Sequence, residues 1–427
     1  MTRRGTTPFE KAKAASTRLY HGWRVVAAAF LIALFGWGLG FYGPGIDLVA
    51  LEERHGWPSA EISFAITTYY LAGATLILFA GAIFERLGAR RVLTAGAVAM
   101  ACGVALLTLI RQPWQVYAAF AVMSLGWAAM SGAAINIIVA PWFDRRRGFA
   151  VSLALNGASA GGVVIAPLII MLMGLLGFSA ALWCTAVLML AVVLPTVALV
   201  LRRKRADEHD RADGVSAFQQ RSAGKKAASA NGASWRPVMA LRDSRFLTLA
   251  IPFALGLTAQ VGFLTHQVAY LSPLIGTAAA GWAVSLTTFA AVVGRIATGA
   301  FVDRVDRRAA ACVNFLVQVI GLGVLIGTTS APMLFLGCGL FGLGFGNMIS
   351  LPGLIVQQEF SRQDFARVVS SVVAVNQFTF AFGPALLGAL RQAGSSYTTP
   401  LAVCLAMQAL AAIIVVAPRL ARARSRS

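Results

Sequence analysis

Gly81-Ala82-Ile83-Phe84-Glu85-Arg86-Leu87-Gly88-Ala89-Arg90-Arg91 returns 218 residues later as Gly299-Ala300-Phe301-Val302-Asp303-Arg304-Val305-Asp306-Arg307-Arg308-Ala309. Each copy closes one long apolar run and precedes the next, so the chain reads as two homologous membrane halves in tandem. The same offset superposes Leu125-Gly126-Trp127 on Leu343-Gly344-Phe345 and, within one residue, Pro167 on Pro384. Chance similarity does not hold register over that distance.

Composition agrees with a membrane body. Of the 427 residues 58% are hydrophobic and only 12% charged, far from the balance of a soluble domain. Apolar runs of about 20 residues, each able to cross a hydrocarbon core roughly 30 Å thick, occur about twelve times. They fall near 25–46, 62–83, 92–110, 114–140, 149–173, 178–201, 246–270, 281–300, 309–328, 331–355, 366–390 and 396–417. The expected fold class is an all-α polytopic membrane protein of twelve spans in two six-helix bundles. The corresponding domains are a basic N-terminal segment (1–24), bundles at 25–201 and 246–417, a polar linker (202–245) and a basic tail (418–427).

The net charge of +20 would suggest nucleic acid in a soluble protein, but its placement says otherwise. Of 36 Lys and Arg, 32 lie in the termini and in the loops after spans 2, 4, 6, 8 and 10. Arg54, Arg111 and Arg391 lie on the other side, and Arg295 falls inside a span. Basic loops stay in the cytoplasm, so both termini and the linker are expected there, in a cell inner membrane. No folded unit gathers the charge for nucleic acid. The first apolar run lacks a small-residue cleavage site and reads as a retained helix rather than a signal peptide. Cys102, Cys184, Cys312, Cys338 and Cys404 all fall inside spans without metal or disulfide spacing, and no metal or cofactor is expected.

Twelve spans, a central linker and a Gly-x-x-x-(Asp/Glu)-Arg-x-x-x-Arg loop after spans 2 and 8 resemble the major facilitator superfamily over nearly the whole chain. Tyr20-His21-Gly22-Trp23 at the mouth of span 1, and Pro141-Trp142-Phe143 followed by Arg145-Arg146-Arg147-Gly148, are similar to the branch holding monocarboxylate carriers and oxalate/formate antiporters. The resemblance implies a transporter, not an enzyme, that moves a small organic anion by alternating access and works as a monomer. It also implies a conformational latch at Gly81, Glu85, Arg86 and Arg90 with Gly299, Asp303, Arg304 and Arg308. Physically, a carboxylate there can pair with Arg and with a helix N-terminus in one tilt of the halves and release in the other. The family carries Asp where this chain has Glu85. Basic loop anchors explain the same arginines more simply.

Arg295 carries the chemical argument. It precedes Asp303 by eight residues, roughly 12 Å along a helix. A charge so deep costs on the order of 3 kcal/mol unless it meets water, a counter-ion or a bundle interior. No acid is expected at that depth, since Asp47 and Glu61 read as bordering an outer loop. A bound anion would supply the missing charge, and a guanidinium matches a carboxylate with two parallel donors. The resembled branch places a substrate-binding arginine in helix 8, which Arg295 matches. The plainer alternative is an arginine that snorkels to the interface or bonds to carbonyls.

Gln260, His266 and Gln267 on span 7, with Asn136, Asn156, Asn347, Asn376 and Gln377 on other spans, are the remaining substrate-binding candidates. Each alone is more often an interhelical hydrogen bond. His266 is a candidate proton carrier. Departures from the branch leave coupling open among proton symport, exchange for a counter-anion and uniport. Ala291 stands where carriers place an acid, no lysine lies near Pro44, and span 11 has no cation before Arg391. No Gly-x-x-x-x-Gly-Lys-(Ser/Thr) loop is present, so gradients would supply the energy. An efflux carrier for drugs and a non-transporting sensor are the competing functions.

Overall fold

The computed structural model describes residues 21–143, 147–201, 243–301, 305–348, 350–361, 364–394 and 396–424. All regular structure among them is helical. In chain order the long helices are α1 (His21–His55), α2 (Ser59–Leu78), α3 (Ala89–Leu106), α4 (Pro113–Trp142), α5 (Phe149–Leu176), α6 (Phe178–Val200), α7 (Ser244–Ile275), α8 (Thr277–Phe301), α9 (Arg307–Ile326), α10 (Ala331–Phe345), α11 (Val368–Gly394) and α12 (Thr398–Arg424). Among the described residues eleven are long and apolar enough to cross a membrane, and α10 is the shorter exception. Large apolar side chains such as Trp114, Leu175, Leu199, Trp282 and Ile413 are largely exposed, as suits a chain solvated by lipid. The chain is a multi-pass membrane protein.

Small residues set the packing, because lipid tails give helices no hydrophobic reason to associate and close backbone approach must replace it. A Cβ built at Gly157 would lie 2.1 Å from the Phe30 carbonyl oxygen of α1. Along α8 and α10 the approach repeats three times: Gly342 faces Thr287 O at 2.2 Å, Gly294 faces Leu343 O at 1.9 Å, and Gly346 faces Ala291 O at 2.0 Å. Gly294→Ala is therefore expected to lower the melting midpoint in detergent, at a cost of about 1–3 kcal/mol for overpacking. Gly353→Ala, where nothing lies within 4 Å of the new carbon, is the control and is expected to leave the midpoint unchanged.

Two helices differ from their expected extents. The tenth run, expected to continue through residue 355, stops at Phe345 and resumes as Leu351–Glu359. Gly342, Gly344 and Gly346 weaken the helix while the Asn347 amide pins the turn, donating to Thr298 Oγ1 (2.8 Å), Asn314 Oδ1 (2.7 Å) and Gly294 O (3.2 Å). The first run extends well past its expected end near residue 46. A π-helical turn at Gly38–Tyr42 leads into Gly43–His55, where Pro44 has no N–H to give the preceding turn and the Gly40 carbonyl accepts from the Tyr69 hydroxyl at 2.7 Å. Gly56 ends it at φ +68°. Asp47, expected beside the loop, is thus enclosed in α1 and only 3% exposed.

The repeated loops begin differently. In the first copy Gly88, at φ +80°, separates helix Ala80–Leu87 from α3. In the second, Asp306 Oδ1 accepts from Ala309 N at 2.9 Å and caps α9. Asp303 and Arg304 lie outside the described residues.

The halves are closed at the face away from the linker. Hydrogen bonds joining the halves include Ser63–His266, Ala385 N to Thr67 Oγ1, Ser285 Oγ to Val163 O, and Arg295 to Asn156. Gly388 supports the same seal, since a Cβ there would lie 2.6 Å from the Ser63 side chain.

Candidate functional site

The helix break in α10 explains how α8 can hold Arg295. Where a helix stops, carbonyls lose their helical partners, and the Gly346 carbonyl accepts from Arg295 Nε at 3.0 Å. Arg295 Nη1 donates to Asn156 Oδ1 of α5 at 3.3 Å, so the guanidinium spans the two halves. Tyr42, from the end of the π-helical turn and 6% exposed, is its electrostatic neighbour. Among the described residues no acidic side chain pairs with Arg295. Its surroundings are neutral dipoles, and it lies between the halves rather than toward lipid.

Aromatic rings continue the site from Tyr42. The Phe41 ring packs against Tyr42 at 5.1 Å and lies nearly parallel to Trp127 (6.1 Å, 21°) and to Phe345 (6.5 Å, 16°). Trp127 and Phe345 are the two positions that the 218-residue offset equates, so the pseudo-symmetry brings one ring from each half against Phe41. Tyr70 meets Trp127 at 6.2 Å and, across the halves, Phe380 at 5.9 Å. Asn376 precedes Phe380 by one helical turn and shares its face. Its Oδ1 is buried without a hydrogen-bond partner among the described residues. Gln377 beside it is half-buried.

The other polar candidates are not brought to Arg295. Gln260 Nε2 donates to Gln318 Oε1 (2.6 Å), which also accepts from Gln408 Nε2 (3.0 Å), a cluster inside the C-terminal bundle. Gln267 donates to Thr287 Oγ1 at 2.8 Å and faces Cys338 Sγ, while Asn347 holds the α10 turn. Asn136 is exposed and donates to Gly132 O of its own helix. His266 belongs to the closed face, with Nε2 3.1 Å from Ser63 Oγ and Nδ1 3.1 Å from Tyr397 Oη. Of the polar candidates Asn156 is the one brought to Arg295, and the aromatic residues were the features missing from the candidate set.

At the linker face Glu85, Arg86 and Arg90 are exposed. Arg308, the counterpart of Arg90, is 1% exposed and binds Glu359 through two parallel bonds, Nε–Oε1 at 2.6 Å and Nη2–Oε2 at 2.8 Å. Its remaining donors reach Thr248 O and Val415 O, both at 3.0 Å, joining α7, α9 and α12. The offset that equates Arg90 with Arg308 places Pro141, not an acid, at the position of Glu359, and among the described residues Arg90 is exposed where Arg308 is buried. The segments carrying the narrower resemblance pack together nearby. His21 lies 4.9 Å from Trp142, its Nε2 3.0 Å from Val200 O, and Trp23 lies 5.0 Å from Phe143. Tyr20 lies outside the described residues. A groove of about 1000 Å³ lined by Val49, Arg54, Ile170, Met171 and Trp282 is remote from Arg295 and opens at the opposite face.

The family model described as Major Facilitator Superfamily matches residues 28–278 and 268–427. Monocarboxylate transporter 11 of Mus musculus is 30% identical over 166 residues, covering 38% of this chain and 36% of that protein. Multidrug resistance protein MdtH of Proteus mirabilis is 30% identical over 116 residues, or 27% and 29% of the two chains. The chain spans about half the length of two fungal transporters it also matches. A crystal structure of the nucleoside transporter NupG superposes with a TM-score of 0.69 at 13% identity, covering 93% of this chain and 98% of that one.

Proposed function

Because this chain belongs to the major facilitator superfamily, and so to a class of transporters rather than enzymes, we propose that it moves a small organic anion, most simply a monocarboxylate, by alternating access. The observation that carries this reading is the Arg295 guanidinium, shared between the halves through Gly346 O and Asn156 Oδ1 and without an acidic partner among the described residues. A carboxylate reaching it supplies the opposite charge and two strong acceptors. Neutralised in this way, the arginine can be enclosed as the halves close, and the bound ligand favours that form by its differential affinity.

The basic bias supports a linker face and both termini in the cytoplasm of a cell with this protein in its inner membrane. On that reading the chain faces inward, consistent with the closed contacts at Ser63, Thr67 and Gly388. The exposed Glu85, Arg86 and Arg90 are then a released latch whose partners re-form when the linker face closes, with Asp303 and Arg304 as the counterparts in the second half. Exchange for a counter-anion, proton symport and uniport are all compatible with this reading, in which the monomer is the working unit.

Drug efflux is the second reading, favoured by the aromatic surround, the buried Asp47 and the likeness to MdtH. Reconstituted vesicles loaded by uptake separate the two. Labelled lactate or benzoate should enter in an Arg295-dependent manner, and a cationic dye should not. Dye movement that needs Asp47 and ignores Arg295 reverses the conclusion.

A further inference from the structure

Resting on the anion reading above, we propose that the preferred substrate is an aryl carboxylate, its carboxylate on Arg295 and its ring among Phe41, Tyr70, Trp127, Phe345 and Phe380, with Asn376 accepting from a donor on the ring edge. The cluster is continuous with the arginine. Phe345 immediately precedes the Gly346 carbonyl that Arg295 binds, and Phe41 immediately precedes Tyr42, the neighbour of the guanidinium. A carboxylate held at Arg295 therefore has its remainder directed among rings.

Those rings suit a flat apolar body and offer little to a short hydroxy acid. Phe41 lies within 21° of the Trp127 plane and within 16° of the Phe345 plane, so three faces from the two halves share nearly one orientation. A planar ligand ring takes up that orientation at the usual stacking separations. The Tyr70 hydroxyl is already committed to Phe41 O at 3.2 Å. Asn376 offers independent support. Its Oδ1 is buried, unpartnered among the described residues, and shares a helix face with Phe380, and a buried acceptor without a donor calls for one. A phenolic or indolic hydrogen provides it. The contacts Phe41–Phe345 and Tyr70–Phe380 both cross between the halves, so a bound ring touches both and its affinity changes as they rock.

The test is equilibrium binding to the purified full chain in detergent, using acetate, lactate, benzoate, 4-hydroxybenzoate and uncharged benzyl alcohol. Benzoate is expected to bind about 30-fold tighter than lactate, which corresponds to about 2 kcal/mol. 4-Hydroxybenzoate should bind tighter again by about fivefold, and Asn376→Leu should erase that second increment. Phe41→Leu should reduce the preference for benzoate over lactate to under threefold while lactate binding persists. Should that variant fail to fold, Phe345→Leu makes the same test from the other half. Lactate and benzoate binding within threefold of each other, both requiring Arg295, would overturn this proposal and leave the anion reading intact. Benzyl alcohol binding as tightly as benzoate, or carboxylates indifferent to Arg295→Ala, would remove the anion reading itself.

Discussion

Arg295→Ala is expected to abolish the melting-temperature increase that carboxylates confer on the native protein, and Arg295→Lys to restore only a small part of it. The guanidinium has enough directed donors to hold Gly346 O and Asn156 Oδ1 and still present N–H groups to a ligand. A lysine ammonium concentrates its charge at one point and cannot serve both protein acceptors and a carboxylate with the same geometry. Hydrogen bonds to charged groups contribute about 1.5–3 kcal/mol each, so losing one or two lowers affinity by at least tenfold. Thermal shift across a carboxylate panel measures it. Equal shifts in the native chain and both variants would place the ligand elsewhere.

Arg308→Ala is expected to be among the most destabilising substitutions at the linker face, and Glu359→Ala nearly as severe. The pair is side-on and bidentate, Arg308 is 1% exposed against 19% for Glu359, and the same guanidinium satisfies carbonyls from α7 and α12. Breaking a buried pair by removing one member leaves the other charge uncompensated, at a cost of about 3–5 kcal/mol. Arg308→Met combined with Glu359→Leu should recover part of the loss. Melting midpoints in detergent with a fixed ligand concentration compare the three. A double variant no more stable than Arg308→Ala would mean that the carbonyl contacts, not the ion pair, hold this end together.

Much of the architecture was readable from the chain, and the reason is physical. Lipid forces every span to be apolar for about 20 residues and forbids open backbone, so the halves, their helices and the lone Arg295 stand out against that background. The break in α10 did not stand out, because Gly342, Gly344 and Gly346 look like ordinary small residues of a membrane helix until the α8 and α9 backbones are seen against them. The first span was expected to end near residue 46, yet Pro44 opens a continuing segment after a π-helical turn, and Asp47 is enclosed as a result. The direction of Gln260 and Gln267 was hidden too. In a twelve-helix body α7 is covered on nearly every side, and spacing cannot tell the central cleft from the bundle's own interior. The aromatic surround of Arg295 draws on α1, α2, α4, α10 and α11, and no local pattern announces a set so scattered.

The unequal clamps give the two repeats different mechanical characters. With Arg308 bound to Glu359 and to carbonyls of α7 and α12, and Pro141 standing where the offset puts Glu359, the second repeat is expected to be the stiffer block at this end. Amide hydrogen exchange should consequently run faster in Ala80–Leu87 than in the opening turns of α9. Equal protection would show that duplication left both repeats with the same rigidity.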